Sequence, residues 1–174
     1  MIYMVDHIFT DPAQEPVWHE WYAGYRQKLL SVPGIHSTQR FKAIGQTPSR
    51  FLAMYSIDSA DAYTSEGYKK IGGGGSQSAR FHPCYQLWTR NLFDGAARAP
   101  VVRNGQRVLV LDRTQCGAPG ELGPLDARAL WLHAVGLHLT TQYRAMVVLD
   151  AKEPLPAIAG SFVYELFTTA MTKP

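Results

Sequence analysis

A ten-residue stretch around residue 34 returns in altered form near residue 136, and this repeat limits the folds open to the chain. The first copy runs from Val32 to Phe41 and the second from Val135 to Arg144. Aligning their glycines, 102 positions apart, pairs Gly34 with Gly136, His36 with His138 and Thr38 with Thr140. A match of this kind predicts an internal duplication, in which two copies of one supersecondary unit pack together.

Length and charge exclude several classes of protein. The 174 residues, 46% of them apolar, are enough to bury one large core or two small lobes. The net charge of +3 comes from 17 basic and 14 acidic residues scattered along the chain, so no nucleic-acid partner is predicted. No run reaches the roughly 18 to 20 apolar residues of a membrane span, and no signal peptide is recognised. With Cys84 and Cys116 in unrelated positions, we expect a cytoplasmic chain with free thiols and no metal site.

The pattern of residues 1–95 predicts a ferredoxin-like unit, which forms the first half of the chain. Alternating or aromatic-rich runs predict strands over Ile2 to Phe9, Ile35 to Ala43, Arg50 to Ile57 and Phe81 to Phe93. Helical spacing predicts one helix over Glu15 to Leu30 and a second from Asp58 or Ser59 to Ile71. This order is the ferredoxin-like βαββαβ unit of the α+β class, which packs both helices on one face of an antiparallel sheet.

Residues 106–174 predict a shortened second half, joined to the first by a linker over residues 96–105. Its predicted elements are a strand over Gln106 to Arg113, a helix over Pro124 to Val135, and strands over Leu137 to Asp150 and Ser161 to Thr169. Asp112 in its first strand is a candidate equivalent of Asp6 in the first strand of the chain. His7, next to Asp6, is expected on the opposite face of that strand. The two halves are expected to pack sheet against sheet.

Several segments of the first half carry a family resemblance. They are Trp21-Tyr22, Leu29 to Ile35, Gln39 to Phe41, Pro48 to Tyr55, and Tyr63 with Tyr68. Together they resemble the dimeric α+β barrel superfamily, particularly its EthD-like and related uncharacterised members. The resemblance covers residues 1 to 93, and it implies that two ferredoxin-like units join into a barrel whose interior holds a small ligand.

The resemblance leaves the chemistry open. The superfamily includes isomerases, cyclases, dehydratases and cofactor-free or haem-dependent monooxygenases, so fold-level analogy does not choose among them. Many relatives have a histidine where this chain has Tyr25, so no activity that uses that histidine is carried over. A homodimer is expected, because the shortened second half leaves a strand edge or sheet face that needs cover.

The second strand carries the first candidate site. Period-two alternation places Ile35 and Phe41 on one face and His36, Thr38 and Arg40 on the other. If the apolar pair packs under the helices, the polar set faces the barrel interior, with His36 as acid or base and Arg40 holding a carboxylate or enolate. The predicted ligand contacts are Thr38, Tyr55, His138 and Thr140. The alternative is a polar strand face satisfied by its neighbours or by water.

A second candidate site lies near residue 82. His82 and Cys84 are two residues apart on the predicted fourth strand and would share a face, so His82 is predicted as a further catalytic residue. The alternative is a buried cysteine beside a turn histidine. No third group with metal-ligand spacing is evident.

Aromatic residues crowd the first helix, and glycines follow the second. Trp18, Trp21, Tyr22 and Tyr25 are predicted to fill the core between helix and sheet. The run Gly72 to Gly75 lacks the residues of a phosphate-binding loop, so we expect a mobile loop at the barrel mouth that can act as a lid.

These patterns predict a small-molecule enzyme that acts by proton transfer, as an isomerase, cyclase or dehydratase does, on an aromatic or polyketide-like compound. No tightly bound cofactor is expected. One alternative is a binding protein without chemistry, in which the same barrel holds a small ligand. Another is a haem-binding, monooxygenase-like protein with a histidine as axial ligand.

Overall fold

A computed structural model describes residues 1–173, and within them eight strands pair into one closed antiparallel barrel. The strands are β1 (Ile2–Phe9), β2 (Ile35–Ile44), β3 (Phe51–Ile57), β4 (Tyr85–Asp94), β5 (Gln106–Arg113), β6 (Leu130–Leu137), β7 (Tyr143–Asp150) and β8 (Ser161–Thr172). Around the barrel their order is β1, β3, β2, β8, β5, β7, β6, β4. The strands after residue 105 therefore complete the sheet that the first four begin.

The predicted fold class, a ferredoxin-like βαββαβ unit followed by a truncated second copy, is wrong. The two halves do not form separate sheets packed face to face, because β8 pairs with both β2 and β5, and β6 pairs with β4. An open sheet exposes unpaired backbone groups at its edges, and closure satisfies them. Among the described residues no strand edge stays free, so the edge argument for a homodimer is lost and the homodimer stays a prediction.

The helices lie on the outside, mostly over the first half. They are α1 (Glu15–Leu30) and α2 (Glu66–Lys70), with 3₁₀ helices at Ala60–Tyr63, Ser76–Cys84 and Gly123–Arg128. The predicted helix over Pro124 to Val135 is wrong, because Leu130 begins β6 and its residues alternate between barrel interior and outer face. No helix within residues 1–173 has the length and apolar character needed to cross a membrane.

Apolar side chains form an inner and an outer layer on the sheet. Inside the barrel lie alternate residues of the strands, among them Ile2, Met4, Phe93, Val110 and Met146. Between the sheet and α1 lie the intervening residues, among them Tyr3, Val5, Phe9, Phe51 and Tyr55, together with Trp18 of the helix. In the second half, where no long helix covers the sheet, Leu122 and neighbouring loop residues pack on β5 and β7.

A β-bulge at His36 reverses the predicted faces of β2. Ile35 pairs with Ile57 and Ser37 with Ser56, so His36 is an extra residue with no partner on β3. Ile35 therefore packs under α1, whereas Phe41 points into the barrel, and the prediction that they share a face is wrong. The same shift places Thr38 and Arg40 beneath α1 instead of in the barrel interior.

Candidate functional site

An aromatic cavity lies between α1, the segment of residues 75–78 and the outer face of the sheet. Its volume is about 50 Å³, and a pocket of about 190 Å³ adjoins it. The two share Tyr3, Tyr63, Tyr68 and Arg90 as walls. Tyrosines dominate the cavity, and they are Tyr3, Tyr22, Tyr25, Tyr55, Tyr63, Tyr68 and Tyr85. Rings and hydroxyls so close together suit a flat aromatic compound that carries oxygen atoms, but such a compound has to occupy the adjoining pocket as well, because about 50 Å³ holds only a few water molecules.

Strand alternation and helix spacing explain how these residues converge. Tyr3 and His7 point outward from β1, and Tyr3 lies opposite Tyr55 of β3. On α1, Tyr22 and Tyr25 face the sheet because they are three residues apart. The prediction that the helix aromatics fill the core holds for Trp18, which is fully buried, whereas Tyr22 and Tyr25 also line the cavity.

His7 is the titratable group best placed in the cavity wall. It is 3% exposed, and the rings of Trp18, Tyr22 and Tyr85 lie 5.4 to 5.8 Å from its own. Burial, assisted by the charge of Arg40, lowers the pKa of His7 to about 3, so its imidazole is neutral at physiological pH. Strand alternation correctly predicted opposite faces for Asp6 and His7 but did not single out His7 as a candidate site residue. His7 and Tyr3 are four residues apart on β1, so strand periodicity could have placed them on the same face.

The cavity also holds hydroxyl and guanidinium groups available for a ligand. The hydroxyls of Tyr22 and Tyr55 share a hydrogen bond of 2.8 Å, and burial raises the pKa of both, so both stay protonated. The Tyr63 hydroxyl and the Arg90 Nε are buried and have no hydrogen-bond partner among the described residues. Buried polar groups are normally paired, so two unpaired donors in the lining of the cavity indicate that a ligand oxygen can bind there.

Arg40 lies behind the cavity wall, beneath α1. Its guanidinium carbon is 3.9 Å from the ring centre of Tyr22 and 4.7 Å from that of Trp18, and its Nη2 donates to His19 Nδ1 over 3.2 Å. Burial lowers the pKa of Arg40 to about 10, so it stays charged at neutral pH. No carboxylate in the described part of the chain forms an ion pair with it. The predicted place for Arg40 inside the barrel is wrong, because the bulge at His36 turns it outward.

His36 lies away from the cavity. Its Nε2 is 2.7 Å from Asp58 Oδ1, and the same aspartate oxygen also accepts from Arg98 Nη2 at 3.0 Å. Just over a third of the His36 side chain is exposed. The prediction that His36 points into an enclosed cavity is therefore wrong, since the extra residue of the bulge turns it outward.

Of the predicted ligand contacts on neighbouring strands, only Tyr55 lines the aromatic cavity. Thr38 is buried under α1, where its hydroxyl and carbonyl both accept hydrogen bonds from Arg26, at 3.3 and 2.9 Å. Arg26 thus occupies the acceptors that Thr38 would offer to a ligand. This contact could not be predicted from the sequence, because it joins a residue of α1 to a residue of β2.

The remaining predicted site residues are dispersed. His82 is exposed in the 3₁₀ helix before β4, where its Nε2 lies 3.1 Å from Ser78 Oγ, so it does not share a strand face with Cys84. His138 and Thr140 follow β6 in a loop, His138 contacting Arg90 and Thr140 contacting Asn91. Their predicted roles stay predictions, but the structure does not bring them together with His36.

The glycine run forms part of the cavity wall. Gly75 lines the aromatic cavity and Gly74 lines the adjoining pocket. At Gly73 a Cβ would overlap the ring of Tyr68, which lines both spaces. The loop is therefore closely fitted to the cavity, while its mobility stays a prediction.

Replacing Gly73 by alanine is expected to lower the free energy of unfolding by about 1 to 3 kcal/mol, because the added methyl group forces the buried Tyr68 ring to move. Urea denaturation measures the loss. Gly24→Ala is the matched control, since nothing lies within 4 Å of a Cβ there and alanine favours a helix. Equal stabilities of Gly73→Ala and the unsubstituted protein would show that the loop does not press on Tyr68.

Comparison with known proteins supports the fold alone. No family model and no curated protein matches the chain. Its structure is similar to that of an anthrone oxidase-like protein, with 12% identity, a TM-score of 0.60, and 99% of this chain and 92% of that one aligned. It is also similar to a candidate chlorite dismutase, with 10% identity, a TM-score of 0.52, and 96% and 95% aligned. At these identities the likeness shows the fold alone, so the assignment to the dimeric α+β barrel superfamily and to its EthD-like members stays a prediction.

Proposed function

We propose that the chain is an enzyme that moves a proton on a small aromatic or polyketide-like compound bound across the tyrosine-lined cavity and the pocket that adjoins it. The observation that carries the proposal is that His7, buried and neutral, lines the same cavity as two unpaired donors, the Tyr63 hydroxyl and the Arg90 Nε. The rings would hold the flat part of the compound. The unpaired donors would hold an oxygen on which negative charge develops.

The proton transfer would proceed from a carbon or hydroxyl of the bound compound to the His7 imidazole. The C–H or O–H bond breaks, the proton goes to the ring nitrogen, and the electron pair stays on the compound as an enolate or phenolate. A pKa of about 3 makes His7 a weak base in the empty cavity. An anion formed beside it raises that pKa, because an opposite charge favours the imidazolium. Base strength and anion formation are thus coupled.

Arg40 supports the anion from behind the wall. It lies against the far face of the Trp18 and Tyr22 rings, and no carboxylate in residues 1–173 neutralises it through an ion pair. In a region of low dielectric its field favours negative charge inside the cavity. This role differs from the direct anion contact predicted from sequence.

The name of one structural neighbour is compatible with this chemistry. Anthrone is a flat tricyclic ketone, and removal of a proton gives an anion delocalised onto oxygen, which is the type of species described above. The neighbour is an anthrone oxidase-like protein. At 12% identity this supports the substrate class only as an analogy.

The residues of the cavity do not fit haem. His7 is the only histidine that lines it within the described chain, and three aromatic rings enclose the imidazole. A porphyrin needs a flat slot beside its axial ligand, and here Trp18, Tyr22 and Tyr85 fill that space. We therefore assign no step to haem.

Hydrogen–deuterium exchange tests the proposal without knowledge of the natural substrate. Anthrone and 2-tetralone exchange an acidic C–H with deuterated buffer, and NMR follows the loss of the proton signal. The protein is expected to accelerate exchange of at least one of them, and His7→Gln is expected to reduce that acceleration at least 100-fold. His133→Gln, on the exposed face of β6, is the matched control and should exchange like the unsubstituted protein.

Three results would count against the proposal. If both compounds bind, as seen by tryptophan fluorescence, but neither exchanges faster, the binding protein without chemistry is favoured. If His36→Gln abolishes exchange and His7→Gln does not, the site predicted from sequence is favoured. If neither compound binds, the cavity does not take aromatic ketones.

A further inference from the structure

A second, larger pocket opens at one end of the barrel, on the other side of the sheet from the aromatic cavity. Its volume is about 640 Å³, within the range of small-molecule sites. It lies where β1 and β5 end and β4 and β7 begin, under the loop of residues 139–142. The two spaces have no lining residue in common, and adjacent residues of β1, Asp6 and His7, point to different ones.

The floor of this pocket is an arginine between two aspartates. Arg144 donates from Nε and Nη2 to the two oxygens of Asp112, at 2.7 and 2.9 Å, and from Nη1 to Asp6 Oδ2 at 3.3 Å. Asp112 is thus paired with Arg144 through both oxygens, whereas Asp6 receives one contact of 3.3 Å from Arg144 and a hydrogen bond from Ser49. Asp6 is 5% exposed and Arg144 is 4% exposed.

The charges of the pocket do not cancel. Arg113, the other basic residue in the lining, is ion-paired with Glu121. Two carboxylates share one guanidinium at a buried floor, so one negative charge is in excess when both are ionised, and burial raises the pKa of Asp6 against the opposing charge of Arg144. Because all three Arg144 nitrogens already donate to carboxylates, the pocket has no free cation at its floor to attract an anion.

The rim supplies neutral hydrogen-bonding groups. The side chains of Thr89, Thr114, Thr141 and Gln142 line the pocket and make no hydrogen bond to other described residues. No group of three or more histidine, cysteine, aspartate or glutamate side chains that could hold a metal ion occurs in residues 1–173. The surplus charge therefore suits an organic cation better than a metal ion.

We infer that the barrel-mouth pocket binds a small organic ammonium compound that also carries hydroxyl groups. The ammonium group would pair with Asp6, whose carboxylate is the less satisfied of the two, and the hydroxyls would bond to the threonine and glutamine side chains of the rim. A buried ammonium–carboxylate pair repays its desolvation only with good geometry and further hydrogen bonds, which the rim would supply, and Asp6 shares its guanidinium partner with Asp112. The inference is independent of the function proposed for the aromatic cavity.

Three small probes of similar size and different charge test the inference. Ethanolamine carries the ammonium and a hydroxyl, ethylene glycol is neutral, and glycolate is an anion. In ¹⁵N–¹H NMR titrations at low salt, ethanolamine is expected to shift the amides of Thr89, Thr114 and Thr141 saturably. Ethylene glycol should bind at least 10-fold more weakly and glycolate should leave these amides unchanged.

Two variants identify the charge that matters. Asp6→Asn keeps the shape of the side chain and removes its charge, so that Arg144 is left with one carboxylate partner, Asp112. This variant should weaken ethanolamine binding at least 10-fold. Asp112→Asn also removes the surplus charge and should have a similar effect, which covers the case in which Asp6→Asn does not fold. Asp61→Asn, an exposed change on the outside of the barrel, is the control. Equal shifts from all three probes, or unchanged ethanolamine binding in a folded variant of either pocket aspartate, would overturn the inference.

Discussion

Replacing Arg144 by methionine is expected to lower the free energy of unfolding by about 3 to 5 kcal/mol. The change leaves Asp6 buried at 5% exposure without its cationic partner, and an uncompensated buried charge is costly. Burial alone would lower the pKa of Arg144, but Asp6 and Asp112 raise it above its usual value, so the guanidinium is firmly charged in the folded state. Urea denaturation at pH 7 measures the loss.

Arg128→Met is the matched control for this prediction. Arg128 forms an ion pair with Glu153 at 2.7 Å, but its side chain is 45% exposed, and exposed pairs contribute about 0 to 1 kcal/mol. The double variant Asp6→Asn with Arg144→Met should be more stable than Arg144→Met alone, because it also removes the charge left unpaired. A loss below 1 kcal/mol for Arg144→Met would mean that water reaches Asp6.

Acid is expected to destabilise the protein through His7. In the unfolded chain a histidine titrates near pH 6.5, whereas in the folded state burial lowers the pKa of His7 to about 3. Between these values the unfolded chain binds a proton that the folded state does not, so stability falls as the pH falls from 6.5 to 3. The contribution lost is of the order of 4 to 5 kcal/mol, and it is fully present above pH 6.5.

The difference between variants isolates this effect from carboxylates that titrate in the same range. Stability is measured by urea denaturation at several values from pH 7 to pH 4. His7→Gln should flatten the dependence on pH, and His133→Gln, whose side chain is exposed, should leave it unchanged. The same slope in His7→Gln and in the unsubstituted protein would show that His7 is protonated in the folded state.

Local features of the chain could be predicted from its sequence. The bounds of β1, α1 and β5 agree with the prediction, because each depends on periodicity within one segment. The opposite faces of Asp6 and His7 follow from the same rule and are confirmed. The helix predicted over Pro124 to Val135 fails because its proline and leucines suit a helix start as well as a 3₁₀ turn followed by a strand.

Features that depend on pairing partners could not be predicted. The bulge at His36 becomes visible only when β2 is aligned with β3, and one extra residue exchanges the faces of all that follows. This single shift moved Thr38 and Arg40 from the predicted site. The sequence suggested that Asp6 and Asp112 are equivalent, but it could not show that Arg144 of β7 lies between them, because that contact joins three strands across the barrel mouth.

The position of β8 in the closed sheet limits the rate at which the chain can fold. β8 lies between β2 and β5, and its pairs with β2, such as Phe41 with Leu166, join residues more than a hundred positions apart. Contacts so distant form late, since the entropy of closing a long loop opposes them. Until β8 pairs with them, β2 and β5 each have an unpaired edge that can pair with a strand of another molecule. The molecule is therefore most prone to aggregation in the interval before its barrel closes.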